Sequence, residues 1–227
     1  MRHQPSAIRS ETTIDGAPPI GRRYDVGGRR LLLHRSGTGG PAVVFLPGAG
    51  LVGLDYLNIH DRVAELTTSV LYDRAGTGWS DRVALPRTAA EVADELRDLL
   101  RAAGVPAPYL LVAHSLGGAY ARRFAQRFPD EVAGLLLLDA FHEDWDAHMP
   151  PELRVQGQDH QAPPELTPEL LQGLRGVYEQ KLADWPQELR ELLIDRHLDP
   201  EWLRIGAQED SNLAELADEL RQGGDVR

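Results

Sequence analysis

Residues 110–118 read Leu110-Leu111-Val112-Ala113-His114-Ser115-Leu116-Gly117-Gly118, an apolar segment that leads directly into a predicted helix, with Ser115 at the junction. The apolar run is typical of a buried strand. A sharp strand–serine–helix turn presents the serine oxygen to a substrate, and it places the positive end of the helix dipole beneath a developing oxyanion. We therefore predict Ser115 as a nucleophile, with the backbone N–H of Leu116 as one oxyanion donor. The competing interpretation is that Ser115 only caps the helix.

Short apolar segments alternate with amphipathic helices on both sides of this turn. A hairpin is predicted over residues 22–35, around Gly27-Gly28, because glycine tolerates positive φ at both turn positions. Thr88 and Glu91 have the spacing of a capping box at the start of a helix. The predicted strands are 42–46, 69–72, 109–113 and 133–138, and the predicted helices are 54–66, 88–103 and 116–128. This alternation predicts an α/β fold with a mostly parallel sheet covered by helices on both faces.

The pattern changes after Asp139. Residues 1–140 hold nearly equal numbers of acidic and basic side chains, so the formal charge of −11 belongs to residues 141–227. The helices predicted in this part are 165–183, 186–196, 200–206 and 211–222. We therefore divide the chain into a disordered N-terminal arm (1–21), a six-stranded core (22–140) and an acidic helical cap (141–227).

Two further segments lie where strands end. They are Phe45-Leu46-Pro47-Gly48-Ala49-Gly50 and Tyr72-Asp73-Arg74-Ala75-Gly76-Thr77-Gly78-Trp79-Ser80. Together with Ala113-His114-Ser115-Leu116-Gly117, they resemble the three ordered motifs of the α/β-hydrolase superfamily. Ala113 replaces the first glycine of the family's G-x-S-x-G pattern, and Pro47 stands where the family usually has histidine. The resemblance implies that the N–H of Ala49 is the second oxyanion donor.

The resemblance implies a serine hydrolase that acts on a small-molecule carboxylic ester or related acyl substrate, with no cofactor and no metal. Relatives that hydrolyse haloalkanes or epoxides carry aspartate in place of Ser115, which disfavours that chemistry. The family order is Ser, then Asp or Glu, then His. We expect the last two strands, with the triad acid and histidine, to be missing, so the chain alone is expected to be inactive. The alternative is an inactive fragment or degenerate hydrolase that only binds a small ligand.

Other side chains leave their roles open. Asp139, Glu143 and Asp144 are alternative positions for the triad acid, whereas His114 is predicted to be structural because adjacent residues on the turn point apart. Asp73 and Arg74 either line the site or form a loop-stabilising ion pair, which we favour. Each of His142, His148, His160 and His197 either completes a triad or is an ordinary surface or packing residue, which we favour. The aromatic side chains that line an acyl pocket or fill the cap core are Phe141, Trp145, Tyr178, Trp185 and Trp202.

Composition excludes several classes of protein. The chain has no cysteine, so it has no disulfide, no Cys-ligated zinc and no thiol nucleophile. Its net acidity argues against nucleic-acid binding, because phosphate contacts need a basic face. The apolar runs are far shorter than the roughly 20 residues of a membrane span, and the N-terminus lacks an apolar signal region. We expect a cytoplasmic protein with no membrane partner, and the oligomeric state stays open.

Overall fold

The computed structural model describes residues 17–155 and 167–226. The predicted arm (1–21) and His160 therefore lie largely or wholly outside the described residues. Within them, six strands form one mixed sheet in the order β1-β2-β4-β3-β5-β6. The strands are β1 (Arg22–Val26), β2 (Arg29–Ser36), β3 (Ala42–Leu46), β4 (Ser69–Tyr72), β5 (Tyr109–His114) and β6 (Val132–Leu138).

The parallel part of the sheet comprises β4, β3, β5 and β6, whereas β1 and β2 pair antiparallel at one edge. Gly27 and Gly28 have φ values of +60° and +85°, which confirms the predicted hairpin turn. The helices are α1 (Leu57–Ala64), α2 (Ala89–Ala102), α3 (Gly117–Arg127), α4 (Trp145–His148), α5 (Pro168–Lys181), α6 (Gln187–His197), α7 (Pro200–Asp210) and α8 (Leu213–Gly223). This architecture confirms the predicted α/β fold.

Alternate residues of each strand enter two separate cores, because successive side chains of a strand point to opposite faces. In β3, Val44 and Leu46 pack into the core that α2, α3 and α8 cover. Val43 and Phe45 pack into the opposite core, which α1 shares with residues of α6 and α7. The central strands β4, β3 and β5 are therefore buried on both faces, as parallel strands of apolar composition require.

Two differences from the predicted helix bounds concern the segments that follow β3 and that cover its loop. The segment predicted as a helix over 54–66 is a 3₁₀ turn at Gly53–Tyr56 followed by α1. Helix α7, predicted to end at residue 206, continues to Asp210. By contrast, the capping box is confirmed: Thr88 Oγ1 accepts the Glu91 N–H, and Glu91 Oε2 accepts the Thr88 N–H. The extra turn of α7 matters because it brings Glu209 to the loop that follows β3, where Glu209 accepts the Gly50 N–H.

The helices after β6 occupy two places. Residues of α6 and α7 pack over the loops that follow β3, whereas α8 packs against α2 and α3. Glu219 of α8 accepts the N–H groups of Ala89 and Ala90 at the start of α2. The division of the chain at residue 140 stays a prediction. None of the helices in the described ranges is long and apolar enough to cross a lipid bilayer.

Strand β6 borders the sheet in the described part of the chain, where its hydrogen-bonded neighbour is β5. Its composition is wholly apolar apart from Gly134, yet Leu136 and Leu137 are 50% and 40% exposed. Apolar edge strands of this kind are prone to pair with further strands.

Candidate active site

The serine turn, residues 113–117, joins β5 to α3 in a strained conformation. Ser115 has a φ of +50°, in the left-handed region that L-residues rarely adopt. Its N–H donates to Leu138 O (3.2 Å), and its carbonyl accepts from the N–H groups of Gly118 and Phe141 (2.9 Å each). Such strain persists only where surrounding contacts hold it, and it clusters at functional sites.

Gly117 and Gly118 leave no room for a side chain, because the end of β3 and the segment after β6 pass very close. A Cβ on Gly117 would lie 2.2 Å from Leu46 O, and one on Gly118 would lie 2.6 Å from Ala140 Cβ. Ala113, by contrast, is fully buried in β5 and keeps its register between Leu46 and Leu137. The turn therefore forms with alanine at the position where the family motif has glycine.

The loop 47–50, which follows β3, lies directly against the serine turn. A Cβ on Gly48 would lie 3.2 Å from Ser115 Cβ and 3.1 Å from His114 Nδ1. The two backbone segments that carry the predicted oxyanion donors, the N–H groups of Ala49 and Leu116, are thus neighbours in space. Ser115 and the backbone N–H groups of the two segments therefore lie together at the carboxyl ends of β3 and β5.

The predicted pairing of Asp73 with Arg74 is wrong, because the two side chains have separate partners. Asp73 is fully buried and accepts the N–H groups of Gly53 (2.8 Å) and Trp79 (2.9 Å). Burial raises the pKa of Asp73 to about 6, although the two hydrogen bonds by themselves would lower it. Arg74 instead pairs with Glu209 of α7 at 2.9 Å. Burial alone would lower the pKa of Arg74, but the Glu209 carboxylate keeps it above its ordinary value.

A cavity of about 370 Å³ opens beside Ser115. Its lining is apolar and aromatic apart from Ser115 and two carboxyl groups, those of Asp139 and Asp210. Burial raises the pKa of Asp210 to about 6, and the negative charge of Glu209 adds to this rise. The remaining lining residues are Leu116, Phe141, Trp145, Leu153, Val155 and Leu213. A volume of this size accommodates a small organic molecule.

Of the three alternative triad acids, Asp139 is the one that lines this cavity, and it also has a positive φ (+44°). Glu143 pairs with Arg122, and Asp144 lies 3.8 Å from Arg221. The structure therefore places Asp139 with Ser115 and directs Glu143 and Asp144 to arginines.

None of the histidines in residues 17–155 and 167–226 lines the Ser115 cavity. His114 Nδ1 lies 2.8 Å from the Tyr56 hydroxyl, which also accepts the Gly48 N–H. His197 is buried, with Nε2 at 2.7 Å from Asp55 Oδ1. The ring of His142 accepts the Asp144 N–H, and His148 is the last residue of α4.

The aromatic side chains divide between two cavities and the core. Phe141 and Trp145 line the Ser115 cavity, with ring centroids 6.0 Å apart. Tyr178 and Trp185 line a second, mainly apolar cavity of about 270 Å³, whose wall includes His114. Trp202 is buried, and its Nε1 donates to Gly50 O (2.8 Å). The aromatic side chains thus include both residues that line a cavity and one that packs in the core, so neither of the two sequence-based alternatives holds for all five.

Comparison with known proteins identifies the family. A family model described as the alpha/beta hydrolase family matches residues 43–222. The chain belongs to the α/β hydrolase family. The match includes the serine turn, the loop 47–50 and helix α7. In the described ranges of this α/β hydrolase, no three carboxylate or imidazole side chains converge to hold a metal ion.

Relatives by sequence match only part of this α/β hydrolase. YqjL of Bacillus subtilis is 35% identical over 106 residues, which are 47% of this chain and 42% of YqjL. YbdG of the same organism is 28% identical over 121 residues, which are 52% of this chain and 37% of YbdG. The matched segments thus span less than half the length of these two relatives.

Solved structures share the fold more widely. Cfl2 of Burkholderia cenocepacia superimposes with a TM-score of 0.70 at 23% identity, covering 90% of this chain and 76% of Cfl2. An epoxide hydrolase of Vigna radiata gives a TM-score of 0.66 at 17% identity, covering 91% of this chain and 77% of its own. A thermophilic esterase of Thermogutta terrifontis gives a TM-score of 0.50 at 22% identity, covering 93% of this chain and 73% of the esterase. At these identities the likeness concerns the fold.

The sequence did not indicate Glu209 and Asp210 as site residues. Both lie in the acidic segment after residue 140, where charge runs usually face solvent. The available signal was weak: Asp199-Pro200 marks the start of a helix, and an eleven-residue helix from there reaches Asp210.

Proposed function

We propose that this α/β hydrolase is a serine hydrolase that cleaves a carboxylic ester or a related acyl substrate through an acyl-enzyme. Ser115 Oγ forms a bond to the acyl carbon, and the bond from that carbon to the leaving oxygen breaks. The proton of Ser115 passes through a base to the leaving alcohol. Water then attacks the acyl carbon of the acyl-enzyme, and the bond from that carbon to Ser115 Oγ breaks. The acid is released, and the proton of the water passes through the base to Ser115. The N–H groups of Ala49 and Leu116 stabilise the oxyanion in both steps.

The strained serine turn against the loop 47–50 is the observation that carries this proposal. A serine that only capped a helix would need neither a φ of +50° nor a backbone loop packed against its Cβ. The adjacent cavity adds a place for the acyl or alcohol group, beside Phe141 and Trp145. Serine favours acyl transfer because its oxygen becomes an effective nucleophile when a base removes its proton.

A histidine base is the part that the described residues do not supply to the Ser115 cavity. We therefore propose that Ser115 in this chain reacts slowly, with the oxyanion donors providing what acceleration remains. In serine proteases, removal of the catalytic residues leaves about 10³- to 10⁴-fold acceleration over water from these other contacts. The same observation favours the second candidate, a protein that binds a small ligand in the cavity without turning it over.

Acetylation by 4-nitrophenyl acetate distinguishes the two candidates. We expect the intact mass to increase by one acetyl group, with release of one equivalent of 4-nitrophenol before any steady state. Ser115→Ala should not gain the acetyl group, whereas Ser211→Ala, which changes a half-buried serine at the C-terminal end of α7, should behave as the wild type.

Imidazole added to the buffer sharpens the test. If Ser115 lacks only a base, imidazole should increase its rate of acetylation in proportion to its concentration, beyond the increase that it causes in Ser115→Ala. Acetylation that persists in Ser115→Ala would contradict the assignment of the nucleophile. A wild-type chain that stays unacetylated in imidazole would favour the ligand-binding candidate.

A further inference from the structure

The guanidinium of Arg74 lies beneath the loop 47–50 and holds two of its carbonyl groups. Nη1 donates to Pro47 O at 2.6 Å, and Nη2 donates to Gly48 O at 2.9 Å. Arg74 is only 1% exposed and lies over the ring of Tyr120, with 5.3 Å from Cζ to the ring centroid. A buried guanidinium with this orientation fixes the direction in which the loop's peptide groups point.

Glu209 completes the arrangement from a distant part of the chain. It lies on α7, is 3% exposed, and accepts from Arg74 Nε (2.9 Å) and Nη2 (3.1 Å). Its Oε2 also accepts the N–H of Gly50 at 2.9 Å. The pair thus contacts the peptide groups on both sides of Ala49, the residue whose N–H is proposed as an oxyanion donor.

Peptide geometry connects these contacts to the proposed oxyanion site. Gly48 C=O and Ala49 N–H belong to one planar peptide group, in which the two bonds point in opposite directions. A donor that fixes Gly48 O on the Arg74 side therefore directs the Ala49 N–H to the other side. The positively charged guanidinium that donates to Gly48 O also polarises this peptide group, which strengthens the Ala49 N–H as a donor.

We propose that Arg74 and Glu209 are positioning residues that orient the Ala49 N–H toward the oxyanion, so that the docking of α7 sets the reactivity of Ser115. This inference rests on the proposed serine-hydrolase function. Neither side chain touches the substrate in this account. Both act through the backbone of residues 48–50.

A purely structural role explains the observations less well. Other contacts already hold α7 to the core: Arg82 pairs with Glu201 at 3.2 Å, Trp202 donates to Gly50 O, and a Cβ on Gly206 would lie 3.2 Å from Gly50 Cα. Buried ion pairs often contribute little net stability compared with apolar side chains of similar volume. The described contacts of Arg74 and Glu209 include three polar groups of the loop 47–50, as positioning requires.

The test compares variants in their reaction with a fluorophosphonate, whose attack by Ser115 places negative charge on an oxygen near Ala49. Arg74→Lys keeps the charge but loses the guanidinium fork. Arg74→Met/Glu209→Leu removes both charges, so neither is left unpaired in the core. Glu201→Gln is the control, because it removes an acid of α7 whose solvent-exposed pair with Arg82 does not contact the loop 47–50.

We expect the maximal rate of phosphonylation to fall about 10- to 100-fold in both Arg74 variants, since loss of one oxyanion donor costs about 10²- to 10³-fold in known serine hydrolases. The concentration for half-maximal rate should change less than two-fold, and Glu201→Gln should match the wild type. A wild-type maximal rate in either folded Arg74 variant would overturn the inference. An Arg74 variant in which only the concentration for half-maximal rate changes, with the maximal rate unaltered, would also overturn the inference.

Amide exchange read by ¹⁵N NMR gives a second measurement that does not depend on Ser115 reactivity. In Arg74→Met/Glu209→Leu, the Gly50 amide should exchange at least 10-fold faster than in Glu201→Gln, and the Ala49 resonance should shift. Unchanged exchange and shift would overturn the inference. If the wild type fails to react with the fluorophosphonate, the proposed function fails, and amide exchange alone then decides whether the pair orients the loop.

Discussion

The serine turn and the loop 47–50 meet at one edge of the sheet, yet they are held by different kinds of contact. The serine turn depends on backbone hydrogen bonds to neighbouring strands and on glycines that allow close approach. The loop 47–50 depends on two buried charged side chains, Arg74 and Glu209, that are 135 residues apart in sequence. The proposed nucleophile is thus positioned by core packing, whereas the proposed oxyanion donor is positioned through α7. Changes to the two regions should therefore have separable effects.

The largest expected effect comes from breaking the charged pair on one side only. Glu209→Leu leaves the Arg74 guanidinium buried without its carboxylate, and we expect a loss of about 3–5 kcal/mol in the free energy of unfolding. Arg74→Met/Glu209→Leu should recover most of that loss. Urea unfolding of the single and double variants measures both values. A single variant as stable as the wild type would show that the pair is not buried as described.

A smaller effect is expected in the serine turn. Gly117→Ala places a Cβ 2.2 Å from Leu46 O, a backbone atom that cannot move without disturbing β3. We expect a loss of about 2–3 kcal/mol, in the upper part of the range for overpacking. Gly173→Ala is the matched control. Its Cβ meets nothing within 4 Å in the middle of α5, so alanine should stabilise the helix by about 0.5–1 kcal/mol. Equal effects of the two substitutions, measured by urea unfolding, would contradict the close approach.

The smallest effect concerns pH. The pKa of Asp210 is raised from 3.8 to about 6, mainly by burial, so the folded state binds its proton more tightly than the unfolded state does. Its contribution to stability is therefore present below about pH 4 and is lost as the pH rises through 6. Because Asp210 is exposed to solvent on one side, we discount the effect to about 1 kcal/mol.

Asp210→Asn tests this pH dependence directly. The variant should match the wild type near pH 4 and exceed it by about 1 kcal/mol at pH 8, as measured by urea unfolding. Asp218→Asn, on the exposed part of α8, controls for the loss of one negative charge. A stability difference between Asp210→Asn and the wild type that does not change with pH would show that burial does not alter this carboxyl group.

Local features of the fold could be predicted from the sequence because their causes are local. The Gly27-Gly28 turn, the Thr88–Glu91 capping box and the alternation of apolar strands with helices each depend on a few adjacent residues. The same holds for the serine turn, where Ser115 lies between an apolar strand and a glycine-rich helix start. Because the predicted strands are apolar on both faces, helices have to cover both faces of the sheet.

The roles of Arg74 and Glu209 could not be predicted, because they depend on which distant helix covers the loop 47–50. The sequence predicts that Arg74 pairs within its own loop and that α7 ends before Glu209 and Asp210. Nothing in the local pattern distinguishes a buried acid on an acidic helix from its solvated neighbours. Only the tertiary packing of α7 against Gly50 decides that Glu209 turns inward.

The identity of the reactive residue is the most direct test of the account. After treatment with a fluorophosphonate, the tryptic peptide 102–122 can be sequenced by mass spectrometry, and it contains Ser115 as its only serine. We predict one phosphonyl group on Ser115, and no modification of this peptide in Ser115→Ala. A phosphonyl group on another residue, with Ser115 unmodified, would contradict the central claim that the strained turn carries the nucleophile.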